Sequence, residues 1–114
     1  MKKIIFSFIC LLLFCGCERS KELKALPSIN TLNVKDRFTV ILPEDHRNGY
    51  TWVLDREYDA SICDHLNTVW HGNDKGVYFE FKCLKAGDCT LKFLSRKYTD
   101  TLDIKVFSLK VKGS

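Results

Sequence analysis

Between Val77 and Leu84 apolar and polar side chains alternate without a break, with Val77, Phe79, Phe81 and Cys83 on one side and Tyr78, Glu80 and Lys82 on the other. A period of two sends successive side chains to opposite faces of a strand. The segment can therefore bury its aromatic side only in a sheet that is covered on one face. Ala86-Gly87-Asp88 follows as a turn, and Cys89 to Leu94 returns with Cys89, Leu91 and Phe93 in phase. This pattern predicts a β-hairpin and sets the whole chain among half-buried antiparallel strands.

The rest of the chain repeats the theme in short runs. A weak strand is expected over Ile29 to Val34 and a strong one over Arg37 to Leu42, where Phe38, Val40 and Leu42 share a face before Pro43 stops the ladder. A loop, Glu44 to Gly49, leads to the aromatic and β-branched run Tyr50 to Leu54. The polar stretch Asp55 to Asp64 follows, with room for one irregular turn. Leu66 to Trp70 reads as another short strand, ending in the polar loop His71 to Gly76. In the last strand Leu102, Ile104 and Val106 give way to Phe107, Leu109 and Val111, a slip of one residue that predicts a β-bulge between Val106 and Phe107. No run sustains a helical period for three turns. About seven short strands predict an all-β, immunoglobulin-like antiparallel sandwich of two sheets packed face to face.

The N-terminus stands apart. Lys2 and Lys3 precede the apolar run Ile4 to Phe14, which is a secretory signal in form and falls short of the roughly 20 apolar residues a membrane-spanning helix needs. Phe14-Cys15-Gly16-Cys17 resembles a bacterial lipobox, with Gly16 before the cut and Cys17 as the acylated new N-terminus; a secretory signal without lipid is the alternative. Residues 17–27 then form the lipidated cysteine and a polar tether closed by Pro27, and residues 28–114 form the domain. This places the protein in a bacterial cell envelope, on the periplasmic or the surface side, held to the membrane by its lipid. Taking the first 16 of 114 residues away leaves 98, enough for one small domain with a core of its own.

Composition narrows the function. Without Lys2 and Lys3 the 18 basic residues fall to 16 against 14 acidic, so the net charge drops from +4 to +2, too weak and too scattered to hold a nucleic acid. Cys63, Cys83 and Cys89 remain for an oxidising compartment. Three thiols allow at most one disulfide; Cys83 and Cys89 are nearest in sequence, and all three acting as small buried apolar residues is an equal alternative. No Gly-x-Ser-x-Gly elbow, protease-like cysteine context or phosphate-cradling glycine loop is present, so an enzyme is not expected. Cys63, His65 and His71 match no zinc spacing, and neither a metal nor another cofactor is expected.

The informative segment is Leu42 to Trp52, Leu-Pro-Glu-Asp-His-Arg-Asn-Gly-Tyr-Thr-Trp. It resembles the signature of the chagasin-like inhibitors of papain-type cysteine proteases, Asn-Pro-Thr-Thr-Gly-Tyr/Phe followed one residue later by Trp. Aligned without a gap, Asp45 stands at the motif Asn, His46 at the Pro, and Arg47 and Asn48 at the two Thr, while Gly49, Tyr50 and Trp52 match outright. The family's second, glycine-rich loop corresponds to His71-Gly72-Asn73-Asp74-Lys75-Gly76. Its third, Arg-Pro-Trp, corresponds to Arg96-Lys97-Tyr98, with the cation and the aromatic ring kept and the proline lost. The resemblance covers about Leu32 to Lys112.

The resemblance implies a monomeric, reversible inhibitor that needs no cofactor and blocks a papain-like protease cleft with three loops at one end of the sandwich, spanning residues 44–49, 71–76 and 95–101. The implied binding residues are Asp45, His46, Arg47, Asn48, Gly49 and Tyr50 in the first loop, Gly72, Asn73, Asp74, Lys75 and Gly76 in the second, and Arg96, Lys97 and Tyr98 in the third. Arg47, Asn48 and Gly49 would sit over the catalytic cysteine of the protease. Two plainer readings compete locally: Asn48-Gly49 is also the signal of a two-residue hairpin turn, and Tyr50 and Trp52 are also expected to hold the base of the loop. The rival for the whole chain is a surface adhesion or assembly module that binds another envelope protein or a glycan.

Overall fold

The computed structural model describes residues 21–25 and 28–113; the signal segment and Cys17 lie outside them. Eight strands occur in chain order: β1 (Lys21–Glu22), β2 (Ile29–Asn33), β3 (Arg37–Leu42), β4 (Thr51–Leu54), β5 (Cys63–Trp70), β6 (Val77–Cys83), β7 (Gly87–Lys97) and β8 (Asp100–Lys112). They form two four-stranded sheets, β1-β3-β6-β5 and β2-β8-β7-β4, which pack as the expected sandwich. Each sheet also carries one parallel pairing at an edge, β1 with β3 and β2 with β8.

The period-two pattern decides what lies between the sheets. Phe38 and Val40 of β3, Phe81 of β6, and Leu91 and Phe93 of β7 are fully buried. Their rings interlock: Phe38 stacks on Phe81 at 4.9 Å, while Phe93 meets Phe79 at 4.7 Å and Phe107 edge-on at 5.6 Å. Offset and edge-on pairs of this kind add roughly 0.5–1.5 kcal/mol each beyond the area they bury.

Two sequence expectations are corrected. Strands β6 and β7 do not form a hairpin. β6 pairs with β3 and β5, whereas β7 pairs with β4 and β8, so residues 84–86 arch from one sheet to the other. Alternation fixes which side chains face inward, but it does not say whether the next strand lies beside or across. Here the two aromatic faces meet across the core, and the true hairpins are β5-β6 and β7-β8. The apolar slip in β8 is not a bulge either. Pairing runs unbroken through Lys92↔Val106 and Leu91↔Phe107; Phe107, Leu109 and Val111 face the core, while Leu102 and Ile104 lie exposed on the outer face. The irregularity in this ladder sits where Ser95↔Asp103 gives way to Arg96↔Thr101, skipping Leu102. A second one falls between His65 and Asn67 in β5.

The stretch expected as a plain tether is partly docked. β1 lies along β3, Leu23 is buried, and Lys21 pairs with Asp36 at 3.0 Å. Asn30 ties in the same segment, accepting from the Lys24 N–H at 2.9 Å and donating to the Lys24 carbonyl at 2.8 Å.

Candidate functional site

Three connections gather at one pole of the sandwich, because β3 ends there, β5 turns into β6 there, and β7 turns into β8 there. Leu42 pairs with Val77, Val77 with Trp70, and Thr51 with Arg96. The first connection, 43–50, runs from one sheet to the other. Asn48-Gly49 is therefore not a two-residue hairpin: His46–Asn48 form one 3₁₀ turn, and Gly49 closes it with φ 80°, a left-handed conformation that glycine adopts at little cost.

The loop is held from inside by a residue that the motif comparison passed over. The Glu44 carboxylate is buried; it accepts the Trp52 N–H at 2.7 Å, and its other oxygen lies 2.6 Å from His46 Nε2. The Glu44 carbonyl accepts the indole N–H of Trp70 at 3.0 Å, and the Pro43 carbonyl accepts that of Trp52 at 2.7 Å. His46 stacks on Trp70 with ring centres 3.8 Å apart, and its backbone N–H donates to Asn73 Oδ1 at 3.0 Å. His46 and Asn73 thus join the first loop to the second. The signal for Glu44 was present in the sequence as a carboxylate beside Pro43 at a strand end, but such residues are ordinarily solvated, so only the fold reveals its burial.

Asp45 caps the turn. Its carboxylate accepts the Arg47 backbone N–H at 2.9 Å and the Arg47 guanidinium through Nε and Nη2. The side-chain bonds from Arg47, then its backbone N–H, lower the Asp45 pKa to about 2. Asn48 accepts the Tyr50 N–H at 2.9 Å. Arg47 and Asn48 stand exposed at the tip, and Trp52 lies in the core below them, as expected for the base of the loop.

In the second loop the His71 N–H donates to the Gly76 carbonyl at 2.8 Å and the Gly76 N–H to the Gly72 carbonyl at 2.9 Å. Gly76 serves the backbone: a Cβ there would lie 2.2 Å from the Leu42 carbonyl oxygen. Asn73, Asp74 and Lys75 are exposed, as is His71.

The third loop is tighter than the expected 95–101. Strand β7 continues to Lys97, β8 begins at Asp100, and Tyr98-Thr99 alone make the turn. The Lys97 stem lies over Gly49, its Cε 3.1 Å from where a Cβ would stand, which joins the first loop to the third. Arg96 is exposed opposite Thr51. Tyr98 is 91% exposed and held at φ 56°, where a side chain costs roughly 1–2 kcal/mol. A shallow cleft of about 270 Å³ between the first loop and the start of β8 is lined by Asp45, Asn48, Tyr50 and Trp52 on one side and Leu102 and Asp103 on the other. Among the described residues no group of three or more His, Cys, Asp or Glu side chains is placed to hold a metal ion.

The chain shares its β-sandwich fold with solved structures. Among solved structures the chain is similar to the cysteine protease inhibitor EhICP2 from Entamoeba histolytica, with a TM-score of 0.68 at 15% identity over 81% of this chain and 94% of that one. It is also similar to amebosin, with a TM-score of 0.54 at 15% identity over 84% and 99% of the two chains. No protein-family model and no curated protein matches the sequence.

Proposed function

We propose that this protein is a reversible inhibitor of papain-like cysteine proteases, carried in a bacterial envelope on a lipid at Cys17, that occludes the target cleft with its three clustered loops and performs no catalysis. The observation that carries the reading is the cross-bracing of the pole: Asn73 holds His46, Lys97 covers Gly49, and Glu44 fixes the base. Binding loops that are ordered before the encounter lose little entropy on docking, which is how a modest contact area yields tight association. The likeness to EhICP2 supports the same reading.

In this arrangement Arg47, Asn48 and Gly49 form the central wedge over the protease cysteine, and Asp74 and Lys75 reach one flank. Tyr98 offers a rigid amphipathic ring to the other, the kind of residue that dominates interface energetics. Arg96 stands beside it as a partner for a carboxylate on the enzyme. Titration of the purified chain against a panel of papain-like proteases tests the proposal. Competitive, reversible inhibition that weakens on substitution of Arg47 or Tyr98 is expected; absence of inhibition across the panel at micromolar concentration refutes it.

A further inference from the structure

Cys63, Cys83 and Cys89 meet at the opposite pole, all three buried and all three free thiols. Their backbones are not equivalent. Cys63 and Cys83 are register partners at the ends of β5 and β6, and the adjoining Leu84 N–H donates to the Ile62 carbonyl at 2.8 Å. Cys83 spends its own backbone groups on the other side, accepting the Lys35 N–H and donating to the Asp36 carbonyl, both at 2.8 Å. Cys63 and Cys83 are therefore a non-hydrogen-bonded antiparallel pair. Such pairs bring the Cα atoms to about 4.5 Å, inside the roughly 4.4–6.8 Å span of disulfides. Cys89 sits on the facing sheet, where its register partner is Leu109 of β8, so it has no strand-paired cysteine.

We infer that Cys63 and Cys83 are a disulfide site that staples edge strand β5 to β6, and that Cys89 stays a thiol. The oxidant is a low-molecular-weight disulfide such as glutathione disulfide, met during folding before the pair is buried. One cysteine thiolate attacks it, giving a mixed disulfide and releasing one glutathione thiolate. The second cysteine thiolate then attacks the protein sulfur of that mixed disulfide and expels the other glutathione. Two protein thiols lose two protons and two electrons, and one external disulfide becomes two thiols. Hydrogen bonding places Cys63 as the shared neighbour of both other sulfurs, lowering the pKa of Cys83 and Cys89.

The bond would close residues 63–83 into a ring that contains Trp70 and Asn73, both of which hydrogen-bond to the first loop. The inference does not depend on what the loops bind.

The test uses the full chain with Cys10→Ala, Cys15→Ala and Cys17→Ala, refolded in mild detergent with a glutathione redox buffer, alkylated in denaturant and digested with trypsin. Cleavage after Arg56, Lys75, Lys82, Lys85 and Lys92 puts each cysteine on its own peptide. The expected result is peptide 57–75 linked to 83–85, with Cys89 alkylated and a melting temperature that falls by on the order of 10 °C on reduction. Adding Cys89→Ala should leave both results unchanged. Linkage of Cys89 to either partner, or alkylation of all three cysteines after oxidation, overturns the inference.

Discussion

Replacing Tyr98 by glycine should move stability and binding in opposite directions. Tyr98 is the first residue of a two-residue β-turn, its φ of 56° is positive, and Thr99 does not share that sign. The arrangement favours glycine at the first position. Holding a side chain there costs roughly 1–2 kcal/mol, and with 91% of its surface open the ring recovers little of that by packing. Glycine would relieve the cost but add roughly 0.5–1 kcal/mol of unfolded-chain entropy. The net effect is a gain of between about 0 and 1.5 kcal/mol, or a melting temperature unchanged or raised by up to about 10 °C. If the ring is a binding anchor, its loss should weaken inhibition by at least about 2 kcal/mol, roughly 30-fold in Ki. Thermal unfolding and inhibition titration on the same preparation give both numbers. A variant that melts well below the parent, or that inhibits with unchanged Ki, would refute the reasoning.

Two further outcomes follow from the first loop. Glu44→Ala should strand the buried Trp52 N–H and free His46, destabilising the fold by about 1–3 kcal/mol; hydrogen exchange should rise over residues 43–50 while the β6 and β7 core amides stay protected. Asp45 has a folded pKa of about 2, below the ordinary carboxylate value of 3.8. Its cap on the 3₁₀ turn is therefore fully present above pH 4 and is lost as pH falls towards 2. Carboxyl NMR shifts of Asp45 should show a midpoint near 2, and in Arg47→Ala the midpoint should move up towards the ordinary value.

The sandwich was legible because alternation survives in almost every strand. Arg37–Leu42 matches its expected bounds, and the inward residues of β6 and β7 are those the pattern named. Partnership between strands was not legible. The apolar faces of β6 and β7 fit a hairpin as well as an arch, and only the competition of β3, β5, β4 and β8 for their edges decides between them. β8 misled for a related reason. Both its faces carry apolar residues at the loop end, Leu102 and Ile104 on one side and Phe107 beyond them on the other, so a change of face looked like a shift of register. At the candidate site the exposed tips could be named from the motif, but their supports could not. Glu44, Trp70 and the Lys97 stem act across 8 to 48 residues of sequence, and no local pattern encodes such contacts.

The parallel run of β1 beside β3 has a consequence for how the molecule is presented. Lys21 sits against Phe38, and both strands advance towards Leu42, so the polypeptide enters at the far end from Arg47 and Tyr98. β8 leaves towards that same end. A lipid at Cys17 would thus hold the domain by its foot and turn its working edge outward, away from the bilayer, where a large soluble enzyme could approach it unobstructed.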